Sequence, residues 1–305
     1  MPDRVIPIGR KLPPATPRST RPDWQQADSG LIADLSARAQ SRSGHGWCVV
    51  ARSCDLQRAP LKARGRDLVL WRVGDEVRAA PNACPHMGAE LCGGRVADGK
   101  LVCPWHGLRL DSRHGAWRTI PAHDDGVLIW ARAIDDEAPG ELVVPMRPTD
   151  FVAGVIQMHA RCDPEDVVAN RLDPWHGVHY HPHSFARLDV LSINDDVITL
   201  RVAYRVAGPV CVEVDATFHS PTRRSIVMTI VAGDGVGSVV ETHATPIAPG
   251  RCVVTEATLA TSDRPGFRLA RRFAPWVRRM IEARAARLWV EDVAYAERRH
   301  LLRTR

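Results

Sequence analysis

Two short stretches, Cys84-Pro85-His86-Met87-Gly88 and Cys103-Pro104-Trp105-His106-Gly107, each offer one thiolate and one imidazole. Their spacing is C-x-H and C-x-x-H, with sixteen residues between His86 and Cys103. Paired loops of this kind suit a two-iron, two-sulfide centre in which two Cys hold one iron and two His the other. Each loop then sends its Cys to one iron and its His to the other. Neutral imidazoles in place of two thiolates raise the reduction potential above that of an all-Cys ferredoxin. The prolines stiffen the loops, while Gly88 and Gly107 allow tight turns that leave amide N–H groups to face the sulfides. The alternative is a structural zinc site, but such sites use C-x2-4-C and H-x3-5-H pairs, which the single-residue C-x-H spacing fits badly.

A second constellation runs from Asn170 to His181 (NRLDPWHGVHYH), with His176 and His181 five residues apart and Asp173 three before the first. On a helix or helix-like turn the two imidazoles could converge on one ion, and neutral imidazole suits iron, zinc or copper. A carboxylate would complete the two-His, one-carboxylate set that leaves positions open for dioxygen on non-haem Fe(II). Asp292 is the candidate. It follows Leu288 by four residues, Ala285 by seven and Ile281 by eleven, which places it in the apolar face of a late helix. Glu291 instead groups with Arg284 and Arg287 on the charged side. A carboxylate directed into a core needs compensation, from a metal or from an arginine, or it simply ends the stripe. His179 and His183 stay open as rival imidazoles.

The elements that must position these groups divide the chain in three. Residues 1–44 are rich in Pro, Arg, Ser and Ala and read as an extended arm, with a short helix around Leu31 to Ala39. Residues 45–149 show short alternating runs, namely Trp47–Val50, Leu68–Arg72, Glu76–Ala79 and Lys100–Val102, with Gly74-Asp75 and Asp98-Gly99 left for the hairpin turns. The cluster loops belong at hairpin tips of this β domain, which Leu108–Pro121 and Val127–Ile134 extend. Residues 150–305 open on a mixed stretch, Phe151–Pro182. Strands are then expected at Val197–Val206, Val210–Phe218, Ser225–Val231, Gly237–Ala244 and Cys252–Ala260. A helix from about 266 to 302 carries Phe273, Val277, Ile281, Leu288 and Ala296 on one face.

Composition narrows the class without naming a function. At 305 residues, 45% hydrophobic and 25% charged, the chain suits a two-domain globular protein. Met1–Arg10 has no apolar signal core and no apolar run approaches eighteen residues, so the expectation is a cytoplasmic protein with no transmembrane segment. Cys48, Cys54, Cys92, Cys162, Cys211 and Cys252 read as buried thiols. The net charge of +6 is almost wholly arginine, since Lys11, Lys62 and Lys100 are the only lysines. Such an excess could steer an acidic partner or merely solvate the surface; no nucleic-acid motif accompanies it.

With both motifs in view, residues 45 to 305 resemble the catalytic α subunits of Rieske-type non-haem iron oxygenases, in the branch of ketosteroid hydroxylases and demethylases. Cys84, His86, Cys103 and His106 match the family's cluster motif. Asn170, Asp173, His176 and His181 match N-x2-D-x2-H-x4-H, and Asp292 matches the Asp of a late E-D pair. The resemblance implies an α+β chain: an all-β Rieske domain, then a catalytic domain with a curved antiparallel sheet and a long C-terminal helix of helix-grip type. It implies a 2Fe-2S cluster, a mononuclear Fe(II) at His176, His181 and Asp292, and a head-to-tail homotrimer. Electrons would cross from a neighbour's cluster through Asp173, which links His176 to His86 or His106 of the adjacent subunit, with Asn170 near the iron. Ala89 and Trp105 stand where respiratory Rieske proteins carry an extra Cys pair, which implies the lower-potential kind of cluster.

The activity so implied is that of a terminal oxygenase. An NAD(P)H-dependent flavin reductase, directly or through a ferredoxin, supplies electrons, and oxygen from O2 enters a hydrophobic ring or terpenoid-like substrate, with monooxygenation favoured over cis-dihydroxylation. Met228, Ile230, Val240 and Val254 are candidates for pocket or, preferably, core. The alternative is an electron-carrier or ligand-binding protein in which the cluster alone is functional.

Overall fold

The computed structural model describes residues 6–13 and 21–305, with the backbone alone at 268–270. Residues 1–5 and 14–20 of the expected arm lie outside the described residues. The chain forms two compact units. One comprises residues 43–142 with 245–248, the other the described residues up to 42 with 143–244 and 249–305.

The first unit is built of small antiparallel sheets: Leu61–Lys62, Leu68–Val73 and Glu76–Pro81 form one, Ala122–Asp124, Leu128–Arg132 and Trp47–Arg52 another. A third, Arg95–Ala97, Lys100–Val102 and Arg109–Leu110, carries the Cys103 loop between its last two strands. The Cys84 loop is closed by a bridge between Ala83 and Glu90. Behind both loops lies a core of Trp71, Leu91, Leu101, Leu110 and Trp117, all buried. Trp71 and Trp117 stack with centroids 6.4 Å apart, and rings of this size dominate the burial free energy of a small core.

The second unit is a sheet of seven antiparallel strands: β1 (Val152–Ala160), β2 (Phe185–Asn194), β3 (Val197–Ala207), β4 (Val210–Thr222), β5 (Ser225–Gly233), β6 (Val239–Ala248) and β7 (Arg251–Ala260). Their spatial order is β1-β7-β6-β5-β4-β3-β2. An arm strand, Ile6–Ile8, pairs parallel with β4. Besides a four-residue turn of helix at Asp23–Gln26, the helices are α1 (Ser29–Gln40), α2 (Pro164–Arg171), α3 (His176–Tyr180), α4 (Pro265–Arg272) and α5 (Ala274–Arg303). Asp28 caps α1 by accepting from the Leu31 N–H at 2.9 Å. Pro164 opens α2 with Glu165 and Asp166 in its first turn and Arg171 in its last, an order that complements the helix dipole.

Several expectations need correction. β1 and β2 were not expected as strands; β1 lies within the stretch read as mixed. The late helix is broken at Phe273 into α4 and α5. Phe273 itself is exposed, and the buried face of α5 is Trp289, Asp292, Val293 and Ala296. The stripe therefore belongs to the second half of the helix. At Gly154 of β1, α5 comes close: a Cβ there would stand 2.7 Å from Ile281 Cγ2, so only a glycine permits that approach. Of the six cysteines read as buried, Cys54 is exposed and Cys92 half-buried. No described helix is long and apolar enough to cross a membrane.

Candidate metal centres

In the first unit, Cys84 and Cys103 are buried while His86 and His106 are exposed, their rings 5.0 Å apart edge to face. The two loops have the same internal wiring. The Cys84 N–H donates to Ala89 O and the Cys103 N–H to Leu108 O, each at 2.9 Å. The Gly88 and Gly107 N–H groups donate back to the carbonyls of Cys84 and Cys103, at 2.8 and 3.1 Å, with both glycines at positive φ. The amides that face sulfur are thus not those of the glycines. They belong to His86 and Met87 at Cys84, and to Trp105 and His106 at Cys103. Burial pushes the Cys84 thiol up; at Cys103 the same burial is outweighed by the Trp105 and His106 N–H groups, which favour thiolate. A buried cysteine pair beside an exposed imidazole pair is a donor set that suits a 2Fe-2S centre with unlike irons.

In the second unit, His176 and His181 come from the two ends of α3 and Asp292 from α5. His176 Nε2 and His181 Nε2 stand 3.2 and 2.9 Å from the same Asp292 Oδ1. Ligands at right angles on bonds of about 2.1 Å are separated by about 3.0 Å, the spacing each imidazole keeps from the Asp292 oxygen, and all three ligand atoms lie within 4.8 Å of one another. Asp292 and His181 are each 1% exposed, which leaves this carboxylate no water to lean on. Against that burial, His176, His181 and Arg171 hold the Asp292 carboxyl well below the ordinary range.

Asn170 and Asp173 close the same site from the end of α2 and the turn after it. Asn170 Nδ2 donates to Asp292 Oδ1 at 3.1 Å. Asp173 Oδ2 lies 3.6 Å from His176 Nδ1, beyond hydrogen-bond length. Asn170 Oδ1, Asp173 Oδ1 and His176 Nδ1 are buried without hydrogen-bond partners among the described residues. Orphaned polar atoms clustered in one place mark a site that is completed by something further.

The two rival imidazoles fall elsewhere. His179 is exposed and pairs with Asp23 of the arm at 2.8 Å. His183 Nε2 meets Glu291 Oε2 at 2.9 Å. That same carboxylate oxygen stands 2.6 Å from His181 Nδ1, so it orients the ring whose Nε2 faces Asp292. Two further residues therefore enter the site. Glu291 is one: the sequence grouped it with Arg284 and Arg287 on the charged side, and its carboxylate instead meets His181 and His183. Tyr295 is the other: its hydroxyl donates to Asp173 Oδ2 at 3.0 Å and its ring lies 5.0 Å from that of His176. Tyr295 follows Asp292 by three residues, one helical turn, and that periodicity was the available signal.

A cavity of about 960 Å³ lies beside this centre, bounded in part by Phe185, Met228, Val240, Ile281 and Leu288. His183 and Arg171 also line it. Val254 is core, as expected, and Ile230 packs against a core cluster. Met228 and Val240, for which core was preferred, both face the cavity.

A family model described as "Domain of unknown function (DUF5914)" matches residues 134–305, more than half of the chain, and a "Rieske [2Fe-2S] domain" matches residues 46–135. Cholesterol 7-desaturase of Drosophila melanogaster is 28% identical over 166 residues, 46% of this chain and 39% of that protein. The oxygenase component of chloroacetanilide N-alkylformylase of Rhizorhabdus wittichii is 33% identical over 152 residues, 41% of this chain and 42% of that protein. The matches thus span about two fifths of those relatives. Dicamba monooxygenase bound to dicamba superposes over 86% of this chain and 88% of its own, with a TM-score of 0.59 at 21% identity, a likeness of fold. The chain belongs to the DUF5914 family, and its architecture is that of Rieske non-haem iron oxygenase α subunits.

Proposed function

We propose that this chain is the terminal component of a Rieske oxygenase system. It takes electrons from an NAD(P)H-dependent reductase, directly or through a ferredoxin, and inserts oxygen from O2 into a hydrophobic organic substrate. Cys84, His86, Cys103 and His106 would hold the 2Fe-2S cluster, and His176, His181 and Asp292 the mononuclear iron. The observation that carries the reading is the convergence of two imidazole Nε2 atoms on one buried Asp292 oxygen. When bound, ferrous iron with open positions supplies dioxygen activation.

The chain's own residues prepare that site. Glu291 keeps the His181 proton on Nδ1 and the Nε2 lone pair toward the ion. Asn170 holds the Asp292 carboxylate in orientation. Tyr295 occupies one oxygen of Asp173 and leaves the other free, which suits Asp173 to bridge His176 and a cluster histidine of the next subunit in a trimer. The apolar part of the cavity wall, Phe185, Met228, Val240 and Leu288, favours a ring or terpenoid-like skeleton. Relatives named for demethylation and monooxygenation favour insertion of a single oxygen atom.

Counting metal on iron-reconstituted protein tests the reading. Three irons per chain are expected, falling to two in His176→Ala with the cluster spectrum intact. Two irons in both proteins, with no substrate-dependent oxygen uptake, would leave only an electron-carrier or ligand-binding protein.

A further inference from the structure

Arg171 ends α2, next to Asn170, and its side chain is 14% exposed. A guanidinium carries five N–H donors, yet among the described residues this one makes no hydrogen bond within the protein, and its Nε is buried and unpartnered. Its nearest carboxylates are Asp292 Oδ2 at 3.7 Å and Glu256 Oε2 at 4.0 Å, both too far for a hydrogen bond. Aromatic rings flank it instead: its Cζ lies 5.9 Å from the Phe218 centroid and 5.7 Å from that of Trp289. Such rings hold a planar cation in place and leave its N–H edge unused.

The charge lining the cavity is unbalanced. Glu256 is the only carboxylate among the residues that line the cavity, against Arg171, Arg205, Arg284 and Arg287. Glu256 already accepts from Trp289 Nε1 at 2.6 Å, and burial raises its pKa. Asp292 already faces His176 and His181 through its other oxygen. A buried guanidinium whose N–H groups go unpaired is costly unless a ligand accepts from them.

We infer that the cavity takes an amphipathic organic acid, an apolar skeleton whose carboxylate is received by Arg171 beside the candidate iron site. The inference names the substrate class of the site proposed above and so rests on that reading. The carboxylate accepts from the free N–H edge, and the skeleton extends along Phe185, Met228 and Leu288. Arg171 thereby selects acids over neutral molecules of the same shape and fixes which end of the skeleton faces away from the iron's charge-rich anchor.

Equilibrium dialysis of the iron-loaded full chain under argon tests this without turnover. The probes are 2-naphthoate against its methyl ester and decanoate against methyl decanoate. Each acid is expected to bind about tenfold or more tightly than its ester, as a charge-assisted contact provides. Arg171→Met, brought to the same iron occupancy at saturating Fe(II), should bind acid and ester equally; Arg171→Lys should keep part of the preference. Equal binding of acid and ester by the unsubstituted chain overturns the inference whatever the variants do, as does failure of both acids to bind at millimolar concentration. A preference that survives in Arg171→Met overturns the role of Arg171. Failure of the oxygenase reading shows separately, as intact acid preference without substrate-dependent oxygen uptake.

Discussion

His181 Nδ1 stands 2.6 Å from Glu291 Oε2, on the opposite side of the ring from the Nε2 that faces Asp292. Two consecutive residues of α5 thus flank one imidazole, Asp292 at its Nε2 edge as the proposed co-ligand and Glu291 at its Nδ1 edge, where its carboxylate would anchor the ring's proton. Removing the anchor should free the ring to turn and lower its basicity. Glu291→Gln is expected to weaken Fe(II) binding about 10- to 100-fold, read by titration of the cluster-loaded protein. Unchanged affinity would reduce Glu291 to a surface partner of His183.

Asp173 is held by Tyr295 at 3.0 Å and keeps one buried oxygen unpaired. Asp173→Asn is expected to leave three irons per chain yet slow cluster reoxidation, in stopped-flow with O2 and substrate, by about tenfold or more. Tyr295→Phe should give a smaller slowing, because the carboxylate stays but loses its orientation. Equal reoxidation rates in all three proteins would remove Asp173 from the electron path.

α2 is tied to α5 by an ion-pair knot. Asp166, fully buried, pairs with Arg299, and with Arg303 and His300 at 3.0 Å each. Burial alone would raise this carboxyl, but Arg303 and Arg299 hold it below its ordinary value. A folded-state pKa below the unfolded one stabilises the fold above about pH 4, and that contribution fades as pH falls through the depressed value. Asp166→Asn should therefore cost roughly 2 kcal/mol near neutral pH, since its partners are partly solvated, and the gap to wild type should close in acid. Urea unfolding from pH 7 to pH 3 measures it; a gap that widens in acid would contradict the assignment.

The approach of β1 to α5 at Gly154 leaves no room for a side chain, with Ile281 Cγ2 2.7 Å from the Cβ position. Gly154→Val should destabilise by about 1–3 kcal/mol through overpacking. It should also lower iron occupancy, because the displaced helix carries Asp292. Thermal unfolding and metal analysis of the same samples check both effects. Full stability would mean that α5 shifts without strain.

How far the sequence reached depended on whether a group's neighbours lay within one stretch of chain. β2 shows where it failed: nearly all of Phe185–Asn194 is half-buried, so no alternation of apolar and polar residues marked it. Phe273 misled in the opposite sense, because an apolar residue at the right spacing is a core residue only if something covers it.

The sequence by itself determined the two ligand sets that are local. Cys84 with His86, Cys103 with His106, and His176 with His181 each share one short backbone segment, so their spacing already limits their geometry. Asp292 was already the candidate carboxylate in the sequence; the tertiary structure brought it to those imidazoles and decided what surrounds them. Neighbours on a helix point about 100° apart, so the docking of α5 turns Asp292 to one ring edge and Glu291 to another, and brings Tyr295 under Asp173. The same docking sets Trp289 beside Arg171 and takes a charge that the sequence would place in solvent out of it.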